Sequence, residues 1–192
     1  MITVQNIITA SIIFWLLPPI RQFRKNYFYY FFILALSDPL NILYVKFIGT
    51  PLYLVHSIAS VLSFYAVIFE SDKSTQNIVT ALLLLCFYVV GMVFIKNLLV
   101  IVLVFNFFVL LKFIQSALFS LYFDKIINVF ITALLFYELI VVTNLVTILG
   151  GGEIKITVFF ISLSFQILLA IFFTIFTDKS PALNIQLRSE PQ

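Results

Sequence analysis

A chain of 192 residues that is 63% hydrophobic and only 10% charged cannot cover a water-soluble surface, for which roughly 25% charged is usual. The formal net charge of +3 comes without a basic patch interleaved with aromatic residues, which excludes a nucleic-acid interface. Apolar runs near the ~20 residues that a bilayer demands point to membrane-crossing helices, because backbone groups in lipid must be satisfied within their own segment.

The first run, Ile2 to Ile20, lacks the positive start of a cleaved signal peptide. Trp15 and Pro18-Pro19 are expected to close it at the membrane interface. RQFRKN follows, with Arg21, Arg24 and Lys25 as the densest basic cluster of the chain. The positive-inside rule places it in the cytoplasm and the N-terminus outside. Tyr27, Tyr29 and Tyr30 then fall where an aromatic belt belongs.

The second span, Tyr27 to Phe47, is expected to break at Ser37-Asp38-Pro39, since proline removes a backbone donor and Asp38 suits the cap of a half-helix. The third starts after Thr50-Pro51, a good cap and first helical residue, and ends near Phe69. Asn77 to Ile95 makes the fourth. Stretches such as ALLLLCFYVV inside it have none of the alternation of a β-barrel strand. Cys86, the only cysteine, is expected to pack as a small apolar residue. The fifth and sixth spans, Leu98 to Phe123 and Ile126 to Leu149, form a hairpin about Asp124-Lys125. After the Gly150–Lys155 linker the seventh runs from Thr157 to Thr177, and a short polar cytoplasmic tail, 179–192, is expected to be disordered.

The prediction is thus an all-α integral membrane protein, with residues 1–178 forming a bundle of seven transmembrane helices, N-terminus outside and C-terminus cytoplasmic, in a bacterial inner membrane. Charge bias supports this orientation. Arg21, Arg24, Lys25, Lys73, Lys125, Lys179 and Arg188 fall inside, against Lys46, Lys96 and Lys155 outside.

Two polar clusters stand out within the spans. Lys112 lies 12 residues before Asp124, and Glu138 lies 13 after Lys125. At about 1.5 Å per residue the two meet at one depth near the bilayer centre. A lone lysine there costs about 2.5–3.5 kcal/mol, so pairing with Glu138 is expected to offset much of that and fix the hairpin register. Gln115 and Ser116 share the Lys112 face, whereas Asn106 and Asn144 are expected to point elsewhere and meet a third helix. The second cluster joins Asn41 and His56, at similar depth on the second and third spans, with Asp38 less than one turn deeper. Binding is assigned to Asp38, Asn41, His56, Lys112, Gln115 and Glu138. Ser57, Ser60, Ser63 and Gln166 are expected to hydrogen-bond between helices.

The chain has no lysine in its last span for a retinal Schiff base, no HExxH and no glycine-rich phosphate loop. No three metal ligands share a usable spacing. No cofactor and no catalysis are therefore expected. Function narrows to a sensor or partner-binding membrane subunit whose partner protein docks at the cytoplasmic face of Arg21, Arg24 and Lys25, with a second copy of the chain as a further candidate partner. The alternative is a small transporter or channel subunit with a polar site at mid-membrane.

Overall fold

The computed structural model describes residues 4–49, 53–69, 74–95, 97–152 and 156–187. Eight α-helices account for most of them. These are α1 (Val4–Trp15), α2 (Leu17–Arg21), α3 (Phe28–Phe47), α4 (Leu54–Ile68), α5 (Ser74–Phe94), α6 (Leu98–Tyr122), α7 (Val129–Leu149) and α8 (Ile156–Ile175). Five helices are long and apolar enough to cross a membrane: α3, Asn77–Phe94 of α5, α6, α7 and α8. Two shorter apolar helices, Asn6–Arg21 and Leu54–Ile68, complete the bundle. The protein is thus a helical, multi-pass membrane protein.

The core follows from aromatic bulk. Tyr30 and Phe31 of α3, Phe113 of α6, Phe130 of α7 and Phe173 of α8 have no exposed surface. Their rings meet at centroid distances of 4.9 Å (Phe31–Phe173), 5.3 Å (Phe130–Phe173) and 5.5 Å (Tyr30–Phe113), within the range where tilted and edge contacts are favourable. Trp15 joins them, 4.8 Å from the Tyr137 ring, and is 6% exposed. It is therefore a core residue and not the interfacial anchor expected. Pro18 and Pro19 do not close the first run either. They sit in the first turn of α2, where a missing N–H costs nothing, and both are buried. Tyr30 likewise belongs to the core, while its neighbour Tyr29 is exposed.

Packing of α4 follows a different rule. Its buried face is Ser57, Ser60, Ser63 and Ala66. Small residues at this spacing let helix backbones approach closely where no hydrophobic force drives them together. Ser60 donates to the carbonyl of Ser57 at 2.9 Å, within the helix. Ser57 bonds Leu54 in the same way at 2.8 Å and also meets the Tyr88 hydroxyl of α5 at 3.0 Å. The serines thus bond mostly within α4, with one link between helices. α5 is the least buried of the long helices, and Cys86 on it is exposed rather than packed.

α3 runs unbroken through Pro39. Pro39 cannot donate to the Ala35 carbonyl, and Ser37 donates instead to Leu34, 2.9 Å away. The expected break at Ser37-Asp38-Pro39 is therefore absent, and Asp38 caps nothing. The Thr50-Pro51 cap lies outside the described residues. α4 begins instead beyond Tyr53, whose φ of 71° is left-handed.

Residues 179–187 of the tail, expected to be loose, are ordered. Lys125, at φ 54°, throws the chain out of helix after α6. The extended residues Ile126–Asn128 (β1) then pair antiparallel with Asn184–Gln186 (β2), Ile127 opposite Ile185. The Leu187 N–H donates to the Lys125 carbonyl at 2.9 Å. The α6–α7 connection is consequently longer than a tight turn, and α7 starts at Val129 with Asn128 as its cap, accepting from the Ile131 N–H at 3.1 Å.

Candidate functional site

The bundle is hollow at one end. A cavity of about 280 Å³ opens between α1, α3, α4, α6, α7 and α8. Its walls combine Ser37 and Asp38 of α3, Tyr53 before α4, His56, Ser60 and Ser63 of α4, Asn106 of α6, and Gln166 of α8. Tyr137, Val141, Leu145 and Ile148 give a stripe of α7 at helical spacing, and Trp15 ends α1 against it. From Ile148 to Tyr137 the stripe descends about 16 Å at the helical rise. Below Tyr137 and Trp15 lies the aromatic core, which floors the cavity. A larger groove of about 540 Å³ on the outer face of α3 and α4 is lined almost wholly by apolar residues and offers no comparable chemistry.

Asp38 and His56 thus share one cavity, close enough to interact electrostatically. Asn41 does not line it. Its Oδ1 is buried without a partner, three positions and about 4.5 Å further along α3 than Asp38 at the helical rise. The Asn106 amide donates to the Val102 carbonyl at 2.8 Å, within its own helix. At the mouth, the Tyr53 ring stands 6.4 Å from the His56 ring.

The expected pair of Lys112 and Glu138 does not form. Lys112 donates to Gln115 Oε1 at 3.0 Å on a half-exposed face of α6, and Ser116 donates to the Lys112 carbonyl at 3.0 Å. Glu138 is wholly buried and accepts from the Tyr30 hydroxyl. Among the described residues no ion pair joins Glu138 to a base, and its Oε2 has no hydrogen-bond partner. Counting residues from the hairpin turn fixes depth but not azimuth. Glu138 lies on the same buried face as Leu134, Tyr137 and Val142, where α3 supplies Tyr30, while Lys112 lies beside that interface. The contact among Lys112, Gln115 and Ser116 is as the spacing implied. The two polar clusters therefore face different surroundings and share no cavity.

Cavity residues that the sequence did not single out as binding groups are Trp15, Tyr53, Ser60, Ser63, Asn106, Tyr137 and Gln166. The serine spacing on α4 was a visible signal of a narrow polar face. Nothing in the spacing of Trp15 or Tyr137 distinguished them from ordinary aromatic packing. Among the described residues no group of three or more His, Cys, Asp and Glu side chains gathers as a metal site.

The opposite end of the bundle is basic. Gln22, with no exposed surface, donates through Nε2 to the carbonyls of Phe173 at 3.0 Å and Phe176 at 2.8 Å. Asn26 donates to Asp178 at 2.7 Å. These bonds and the β1–β2 ribbon bring the exposed Arg21, Arg24, Lys25, Lys125 and Lys179 to the same end. Tyr27 also lies here, beside Asp178, and burial, aided by that carboxylate, pushes its phenol up to about 12.

Comparison with protein-family models, curated proteins and solved structures finds no match for this chain.

Proposed function

We propose that this protein is a non-catalytic, multi-pass membrane subunit that receives a small polar solute in its cavity and signals occupancy to a partner at its basic end. One observation carries the reading: a polar cavity open at one end of the bundle and sealed at the other by packed aromatic rings. The route to the basic end is physical. Trp15 lines the cavity and contacts the Phe173 ring, 6.4 Å between centroids. The Phe173 carbonyl is held by Gln22, the residue after Arg21. A solute that shifts Trp15 thus acts on the anchoring of α8 next to the basic surface.

In this reading seven helices cross a bacterial inner membrane. The short ones, Asn6–Arg21 and Leu54–Ile68, reach about 24 and 22 Å at the helical rise against a hydrocarbon core of about 30 Å. The mismatch is taken up by local thinning of the bilayer or by flanking residues. The cavity mouth faces outside, and the basic end faces the cytoplasm.

A transporter is the second reading, favoured by Pro39 lying within α3 beside the cavity. A helix lacking one backbone bond at a one-sided cavity suits alternating access.

Cysteine accessibility tests both. In a Cys86→Ala background, His56→Cys should react with a small impermeant methanethiosulfonate applied to the mouth side and not from the basic side. Ile48→Cys should label only from the mouth side and Phe23→Cys only from the basic side. No reaction at residue 56 from either side overturns the solute-binding reading. Reaction from both sides replaces the sensor with a conducting path.

A further inference from the structure

Among the described residues the walls of the cavity carry one carboxylate and neither lysine nor arginine. We propose that the cavity binds a small organic cation, an ammonium-bearing molecule, with Asp38 as its counter-ion. This rests on the reading of the cavity as a solute site and names the solute class.

Asp38 is the first reason. Among the described residues its carboxylate makes no hydrogen bond to the protein, and His56 and Tyr137, which share the cavity wall with it, are close enough to interact with it electrostatically. Asp38 is exposed to the open cavity, and a carboxylate facing a space between membrane helices favours a positive partner. Among the described residues neither Lys112, engaged with Gln115, nor Lys46 at the end of α3 lines the cavity. A cation from outside the chain would supply the partner. An anion would meet the Asp38 carboxylate, with only the His56 imidazole on the described walls to offset it.

The rings are the second reason. Trp15, Tyr53 and Tyr137 all line the space, and Trp15 and Tyr137 meet at 48° to form a corner. Aromatic faces attract ammonium groups, most strongly tryptophan and where water is excluded. Trp15 is 6% exposed and Tyr137 9%. The Ser60 hydroxyl and the Asn106 carbonyl oxygen on the same walls add acceptors for N–H groups.

Size is the third. About 280 Å³ lies just below the range of ligand pockets, about 300 to 1,000 Å³. The space suits a molecule of choline or ethanolamine size and excludes a lipid or a peptide.

Trp15 is the only tryptophan in the chain, so its emission reports the floor of the cavity directly. The full chain in nanodiscs would be titrated with choline and with 3,3-dimethylbutan-1-ol, its neutral isostere. Choline should change Trp15 emission saturably, and the isostere should bind at least about tenfold more weakly, as expected for a partly desolvated charge contact. Asp38→Asn should remove that preference, and Asp38→Glu should keep it. Equal binding of both probes overturns the cation assignment and leaves the solute cavity standing. No response to choline also overturns it, and the residue-56 thiol then decides whether the cavity itself is open. Choline against its isostere on the unmodified chain needs no variant, so the assignment can fail even if Asp38→Asn does not fold.

Discussion

The basic end of the bundle is filled and the cavity end is hollow, although both are made by the same helices. Towards the basic end, α3, α6, α7 and α8 each contribute a phenyl or phenol ring with no exposed surface. Even the carboxyl there, Glu138, has one oxygen satisfied by a ring hydroxyl. Towards the mouth the same helices contribute Asp38, Asn106, Leu145 and Gln166, and α4 brings serines in place of rings. Bulk at one end spaces the helices. Small side chains at the other leave that spacing unfilled. The cavity is thus a product of the core beneath it, and Trp15 and Tyr137 belong to both.

Substitutions at matched depth in the two halves should separate them. Phe173→Ala removes a buried ring from a close-packed site and should cost the largest amount, about 3–5 kcal/mol, read as the shift in a reversible detergent-unfolding curve. Leu145→Ala on the cavity wall borders space that already exists and should cost under about 1 kcal/mol. Equal losses would mean the cavity half is as densely supported as the core.

Glu138 sharpens the contrast at an intermediate scale. Tyr30→Phe strips its one hydrogen bond among the described residues, and leaving a buried carboxyl unsatisfied should cost about 1–3 kcal/mol. In a double-mutant cycle, Tyr30→Phe with Glu138→Gln should show coupling of about that size. Lys112→Ala with Glu138→Gln should be additive to within ~0.5 kcal/mol. Strong coupling in the second cycle would restore the lysine–glutamate pair and remove the account given of both residues.

The smallest effect concerns Tyr27. Its phenol titrates at about 12 in the folded chain against an ordinary value of 10.0. The folded state therefore holds the proton more tightly, and the stability this contributes is complete below pH 10 and lost as pH rises towards 12. Tyr27→Phe should flatten the fall in thermal midpoint over that window. An unchanged fall assigns it to other groups.

Much of this architecture was legible in the sequence. The long apolar runs became helices with ends within a few residues of those expected, because hydropathy and chain length constrain a membrane helix strongly. The nearness of Asp38 and His56, less than a turn apart in depth by residue counting, was legible for the same reason, and the two do line one cavity. Azimuth was not. Whether Glu138 meets Lys112 or Tyr30 depends on how three helices rotate against each other, and apolar residues surround every face of α7. The cavity was hidden too, because an absence of packing leaves no pattern in a sequence. Trp15 was misread because aromatic residues serve membrane interfaces and cores alike. The β-ribbon was missed because its two strands are three residues each and stabilise one another only across a long separation.

That ribbon joins the segment after α8 to the segment before α7, which closes α7, the glycine linker and α8 into a loop tied at its base. A protease nicking the chain at Gly150–Gly152 would open the loop at its far side only. Both fragments would remain fastened to each other through Ile126–Asn128 and Asn184–Gln186, so the protein is suited to being made and reassembled as two separate polypeptides cut at that point.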